Sequence, residues 1–349
     1  MSRRDTPKTG IVTRWQWHEA TYAAIRIADC IQQAGGDVSI LPTNYVPGVL
    51  DTPWQSEIVT GCRLTEWAAD CDQVVFTHCP SLVQQKWMRS CKKRAICLPL
   101  WHELELQDLT ELMQCDLVIA TSDAFADWLR QVAIPSLRLS WDAGLPLTAK
   151  SSVAGPAIRV LWPLYAEAVN RVTATACEIL HRAMRMQPAM TLTILMSAAT
   201  LSGQARHSLR KFQRDYGAAR LQLVASTTLL SRQLAYMQHD LTFWPTIAES
   251  LGLVGLTSVA LGTPVVTYGV PPITELLPQS SAWHVPVKLQ YSSVRAPYAV
   301  HGERAMDTLM QSLAAEPEQI WEKQRSVLHG LSERRTTFDE VLGRALLLR

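Results

Sequence analysis

The sequence predicts an α/β protein made of two doubly wound, Rossmann-like domains. Three observations carry this expectation. Short apolar runs alternate with amphipathic helical segments along the first half of the chain. The same alternation restarts after a stretch rich in Gly, Pro, Ser and Ala. The apolar runs are continuous, which suits parallel strands covered on both faces, and parallel strands need crossovers of this kind. The chain has 349 residues, 48% hydrophobic and 18% charged, enough for two cores of ordinary size.

In order, "GIVT" (10–13) is a short opening strand. "EATYAAIRIADCIQQAGG" (19–36) has apolar residues at helical spacing and stops at a Gly pair. "DVSIL" (37–41), "QVVFTH" (73–78), "RAICLPL" (94–100) and "DLVIATS" (116–122) read as strands. "DAFADWLRQVAI" (123–134) is helical, with Ser122 or Asp123 as N-cap. "AGLPLTAKSSVAGPA" (143–157) has no periodicity and is the expected linker. Beyond it, "IRVLW" (158–162), "TLTILM" (191–196), "RLQLVA" (220–225), "LTFW" (241–244) and "TPVVTYG" (263–269) are strands. Helices are expected in 166–186, within 226–240, in 251–262 and from about His301 onward. The domains are therefore expected at 1–148 and 149–325, with a C-terminal helix, 326–349, packing back on the first.

Composition excludes several classes. Net charge is +2, so no strong bulk field is implied. No apolar run reaches bilayer length, and "MSRRDTPKTG" is followed by a strand in place of a signal-peptide apolar region. The expectation is a cytoplasmic protein without a transmembrane segment. None of the eight cysteines forms a CxxC pair, and reduced, mostly buried thiols are expected. The cluster His78, Cys79, Cys91, Cys97 and His102 matches no standard zinc spacing, so no metal site is expected.

The run "PTIAESLGLVGLTSVALGTPVVTYGVPPITELL" (245–277) is the most informative. Glu249 stands at the carboxyl end of a strand, just before a helix, with Gly252 three residues on. A helix N-terminus offers free N–H groups and the positive end of its dipole to a phosphate, and Gly252 would let a ligand approach the backbone. A carboxylate would repel that phosphate, so Glu249 is better placed to accept hydrogen bonds from sugar hydroxyls. The chemistry suggests a nucleotide-sugar, with diphosphate on the helix end and sugar on the acid. The bland alternative is an acid that only favours the helix dipole.

This run resembles the donor-binding segment of nucleotide-sugar glycosyltransferases of the GT-B fold, in the retaining family-4 (group 1) branch. Pro245, Glu249, Gly252, Leu253, Leu256, Ala260, Gly262, Pro264, Val265 and Val266 match that family's pattern in register, and Glu275 matches the acid of the following loop. "CDLVIATSDAFADWL" is similar to the segment that closes the family's first domain. The resemblance implies two Rossmann-like domains facing each other across a cleft, a nucleotide-diphosphate sugar as co-substrate, retention of configuration, and no obligatory cofactor or metal. It implies Glu249 on the donor sugar, the helix start at Ser250, Leu251, Gly252 and Leu253 on the phosphates, His102 near the transferring sugar and His78 at the cleft wall. Backbone-satisfied or core histidines are the ordinary alternatives for the last two.

The sequence departs from the family in three places. The second Glu, which holds the ribose, is Thr257 here, which can bond a hydroxyl only singly and more weakly. No Arg follows the first strand of the second domain, where Pro163 or Leu164 falls, and Arg171 is offered for the family's Lys, a helix-surface arginine being the alternative. The first-domain glycine loop is replaced by "TRWQWHEATY", whose Trp15, Trp17, His18 and Glu19 follow the first strand on the acceptor side. Aromatic faces stack on sugars, and they also simply pack.

The acceptor class stays open: a glycan, a lipid, a small molecule or a modified base in DNA. "QKWMRSCKKR" interleaves Lys86, Arg89, Lys92, Lys93 and Arg94 with Trp87. Such a stretch could grip a nucleic-acid backbone or make peripheral contact with an anionic membrane, or it could be a solvated helix end. Residues 1–150 carry 14 basic and 17 acidic side chains, net −3, which lowers the nucleic-acid reading. Two alternatives to a general glycosyltransferase remain: a phage-type enzyme glycosylating a hydroxymethylated base, which would have to flip its target out, and a catalytically silent relative that binds or partners.

Overall fold

The computed structural model describes residues 7–14, 19–43, 58–59, 63–150, 157–164, 173–196, 203–225 and 229–347. In chain order the elements are β1 (Thr9–Thr13), α1 (Glu19–Gln33), β2 (Val38–Pro42), α2 (Leu64–Trp67), β3 (Gln73–Phe76), α3 (Leu82–Ser90), β4 (Arg94–Cys97), α4 (Leu106–Leu112), β5 (Leu117–Ala120), α5 (Asp123–Gln131) and β6 (Ser136–Arg138). Next come β7 (Arg159–Leu164), α6 (Thr173–Met186), β8 (Thr191–Met196), α7 (Gly203–Arg220), β9 (Leu221–Ala225), α8 (Leu229–Gln238), β10 (Leu241–Trp244), α9 (Leu253–Ala260), β11 (Val265–Tyr268) and α10 (Ile273–Leu276). The chain ends with β12 (Ala282–Val285), β13 (Lys288–Gln290), β14 (Tyr298–Val300), α11 (Glu303–Ala315), α12 (Glu318–Ser326) and α13 (Leu331–Leu347). Among the described residues, no helix is long and apolar enough to cross a membrane.

Two compact units result. The first comprises Met1–Gly144, Ser292–Ala296 and Glu333–Arg349. Its sheet is wholly parallel, in the order β2-β1-β3-β4-β5-β6. The order reverses direction between β1 and β3, which makes the carboxyl ends of those strands the expected ligand edge. Register keeps those ends level: Val12 pairs with Phe76, and Phe76 with Cys97. Past β4, Trp101 stacks on Phe125 at 5.0 Å and anchors the short 3-10 turn Trp101–Glu103. The last helix belongs to this unit from Glu333 on. Arg26, almost fully buried, reaches Asp142 at 3.2 Å and Asp339 of α13 at 2.6 Å, with its guanidinium over the Phe338 ring. Gln73 and Arg94 donate to the carbonyls of Leu346 and Ala345.

The second unit comprises Leu145–Tyr291 and Pro297–Ser332. Its main sheet is also parallel, in the order β12-β11-β10-β7-β8-β9, and reverses between β7 and β10. β7 runs through Pro163 and Leu164, which pair with Leu195 and Met196. The positions where a phosphate-binding Arg was sought are therefore buried strand residues. The stretch expected as a free linker is tied to the unit in its described part. Thr148 donates to the Ala260 carbonyl, and the Lys150 ammonium donates to the Tyr236 carbonyl at 2.9 Å and to Thr263 Oγ1 at 2.5 Å. α7 and the short strands β6, β12, β13 and β14 were not anticipated from sequence.

Candidate active site

In the second unit the site is the loop from β10 to α9. It is tightly determined. The Thr246 amide donates to the Trp244 carbonyl, Thr246 Oγ1 donates to the Ala248 carbonyl, and the Ala299 amide donates to the Ile247 carbonyl, each at 2.8 Å. The loop ends at Glu249, 7% exposed, whose Oε1 accepts the Ser250 amide at 2.9 Å. That bond orients the carboxylate and occupies one of its oxygens. Gly252 is the N-cap of α9, in the left-handed region at φ 63°, and as a glycine it brings no capping side chain of its own. The first amides of the helix and the positive end of its dipole therefore receive nothing from a side chain at the N-cap.

Gly252 has a reason to be glycine that the sequence did not reveal. Besides its positive φ, a Cβ there would lie 2.9 Å from Leu276 Cδ1. Backbone conformation and packing demand it, whatever ligand approaches. One turn on, a Cβ at Gly255 would lie 2.5 Å from Leu277 Cδ1 and 2.9 Å from Trp244 Cζ3, so α9 sits hard against β10. Ser258 completes the fixing: its hydroxyl lies 2.7 Å from Thr242 Oγ1 and donates to the Thr263 carbonyl at 2.8 Å. Leu253 opens the helix and Thr257 follows one turn later, both half-buried. Ser250 and Leu251 are fully buried, and Glu275 is half-buried on α10. The structure thus brings Glu249, Ser250, Leu251, Gly252 and Leu253 together at one end of α9. Arg171 lies outside the described residues.

In the first unit, Glu19 opens α1 just after β1, and His102 lies in the turn after β4. His102 Nδ1 is 4.0 Å from Glu19 Oε2, and its Nε2 is 3.9 Å from Glu103 Oε1. Arg14, directly after β1, reaches Glu103 Oε2 at 3.5 Å. The imidazole thus lies between two carboxylates, one facing each ring nitrogen. Arg14 and Glu103 were not singled out from sequence; the signal was position, directly after β1 and directly beside His102. His78, after β3, is different. Burial, with Arg14 nearby, lowers its pKa to about 4, and its buried Nδ1 has no hydrogen-bond partner among the described residues. It stays neutral near pH 7 and lines the edge as an uncharged ring. Trp15, Trp17 and His18 lie outside the described residues.

The basic stretch of α3 divides. Lys93 Nζ turns inward to the carbonyls of Ala69 and Cys71, and Arg94 turns to Gln73 and Ala345. Lys86, Arg89 and Lys92 remain on the surface.

Two parallel six-stranded Rossmann-like sheets, each reversing direction beside its first strand in chain order, make up a fold of the GT-B type. The solved structures agree. The chain is similar to the pneumococcal O-GlcNAc transferase GtfA in complex with UDP and GlcNAc, with a TM-score of 0.70 and 10% identity over 97% of this chain and 98% of that one. It is similar to Anabaena HepE in complex with UDP, with a TM-score of 0.72 and 11% identity over 97% and 99%. It is also similar to a Listeria monocytogenes protein assigned as a UDP-N-acetylglucosamine 2-epimerase, with a TM-score of 0.62 and 11% identity over 92% and 91%. No family model matches the chain, and no curated protein matches its sequence. At these identities the likeness is one of fold, and the fold is shared by transferases and by an epimerase-type protein.

Proposed function

We propose that this chain is a glycosyltransferase that moves a sugar from a UDP-sugar to an acceptor hydroxyl, with retention of configuration. The observation that carries the reading is the buried Glu249 carboxylate beside the left-handed, glycine-led start of α9, past a direction-reversing strand of the second sheet. That pairing suits a sugar diphosphate. Glu249 accepts from sugar hydroxyls. The amides at Leu251, Gly252 and Leu253 receive the diphosphate, Thr257 bonds the ribose, and Arg171 helps neutralise the leaving group, where charge develops. His102 acts near the transferring sugar, and Glu19, His78, Trp15, Trp17 and His18 are the acceptor-side residues of this reading. The bond from the anomeric carbon to the diphosphate oxygen breaks, the bond to the acceptor oxygen forms, and the acceptor proton leaves with the diphosphate. UDP is favoured as the nucleotide because GtfA and HepE were solved with it.

The test is to incubate the protein with a panel of UDP-sugars, with and without candidate acceptors, and to follow UDP release and product mass. Acceptor-dependent UDP release, lost in Glu249→Ala, supports transfer. Conversion of the sugar nucleotide to an epimer without UDP release would make the chain an epimerase instead. Failure of every donor to raise the melting temperature would leave a silent relative.

A further inference from the structure

The surface of α3 and α4 carries a feature that donor binding does not explain. Four of the nine large apolar side chains exposed among the described residues lie there: Leu82 at 41%, Val83 at 78%, Leu106 at 71% and Met113 at 55%. The two helices lie side by side. The Gln85 side chain donates to the Glu111 carbonyl at 2.7 Å, the Leu82 backbone bonds the Glu111 carboxylate, and Arg89 donates to the Gln114 carbonyl at 3.1 Å. Leu106 and Met113 stand two turns apart on one side of α4. Lys86 and Arg89 of α3 and Lys92 just beyond it are exposed as well, with Lys86 one helical turn from Leu82 and Val83. Of the neighbouring acids, Glu105 is paired with Arg295 at 3.1 Å, while Asp108 accepts the Glu105 amide at 2.7 Å.

We propose that the α3–α4 face docks this protein on an anionic lipid bilayer. Aliphatic side chains inserted at the headgroup level and cations above them are what such a surface attracts. A nucleic acid would be expected to meet aromatic platforms for its bases. The one aromatic side chain of α3, Trp87, is instead half-buried against the core around Val74, Phe76 and Met88. Position gives the face a use. Leu82 opens the helix after β3, four residues beyond His78, and Leu106 opens the helix after β4, four residues beyond His102. The apolar rim is thus at the carboxyl edge of the first sheet, beside the acceptor-side groups. Resting on the glycosyl-transfer reading, this favours a membrane-borne hydroxyl as acceptor.

The experiment is vesicle co-sedimentation of the full chain, without donor, using phosphatidylcholine vesicles and vesicles containing phosphatidylglycerol. Binding to the anionic vesicles that weakens with salt is expected. Lys86→Ala with Lys92→Ala should weaken it about 30-fold, at about fivefold per cation near the surface. Val83→Asp with Leu106→Asp should abolish it. All four side chains are exposed, and an unchanged melting temperature will show that the variants fold. Equal binding by wild type and both double variants, or none by wild type, overturns the proposal. So does binding of a short DNA duplex that the lysine variant loses and the Val83/Leu106 variant keeps. None of these readouts uses a nucleotide-sugar, so this idea and the transferase reading fail separately.

Discussion

Replacing Glu249 separates its two roles, because they call for different atoms. One carboxylate oxygen takes the Ser250 amide at 2.9 Å inside the loop, and the other remains for a ligand. Glu249→Gln keeps an amide oxygen for Ser250 and removes the charge. A charged acceptor forms bonds roughly twice as strong as a neutral one, so UDP-sugar affinity should fall about tenfold with little change in stability. Glu249→Ala removes both bonds. UDP-sugar affinity should then fall about 10- to 150-fold, from the 1.5–3 kcal/mol of a bond to a charged group, and the buried Ser250 amide left unmade should cost a further ~1–3 kcal/mol of stability. UDP alone makes no sugar contact, so its affinity should stay within about twofold in the Gln variant. Calorimetric titration of both ligands against the three proteins reads this directly. If UDP-sugar and UDP bind the Gln and Ala variants as they bind wild type, and only the Ala variant loses stability, Glu249 is a helix-end acid and the donor assignment is wrong.

Three further outcomes are expected. Gly262→Ala should destabilise by about 2–4 kcal/mol in urea unfolding, because φ is +77° and a Cβ would lie 2.6 Å from the Thr148 backbone oxygen; a change within error would mean that the Thr148 segment yields freely. His78, lowered from 6.5 to about 4 in the fold, should contribute stability above pH 6.5 that is lost as pH falls toward 4, up to about 3 kcal/mol. His78→Asn should flatten the stability profile across that window, and an unchanged slope would show the ring to be solvated. Among the described cysteines, exposed Cys91 should react first with a disulfide reagent, while Cys97, whose thiol is raised well above its ordinary range by burial, should react only on unfolding; mass mapping of the labelled peptides decides.

Much of the fold was legible because burial on both faces of a parallel sheet leaves an unmistakable trace. Runs such as "QVVF" and "VVTY" contain few polar residues because every position is covered, and both are fully buried strands. α7 escaped for the opposite reason. Its packed apolar side chains among the described ones are Leu209, Phe212 and the half-buried Tyr216, set among five cationic residues, so a polar composition hid the helix. Edge strands are hard to read for a related cause. β12, "AWHV", buries only its first and last residues, and β6 is three half-buried residues, too short for alternation to show.

The site was legible where chemistry and chain were adjacent, and obscure where the fold supplied the adjacency. Glu249, Gly252 and the start of α9 lie within a few residues of one another, so a reading along the sequence could assemble them. What fixes them could not be read that way. Thr242, Ser258 and Thr263 pin α9 to β10 through hydroxyl bonds, and Ala299 steadies the loop from about fifty residues away. The Arg14–Glu103 pair spans 89 residues and exists only because β1, β3 and β4 end level. The basic stretch makes the same point in reverse. Five cations close in sequence suggested a single patch, yet strand β4 begins at Arg94, so Lys93 and Arg94 are drawn into the unit while Lys86 and Arg89 stay on the helix surface and Lys92 on the turn after it. The end of a helix and the start of a strand divide one charge run between structure and surface, and only the surface half is available to a partner.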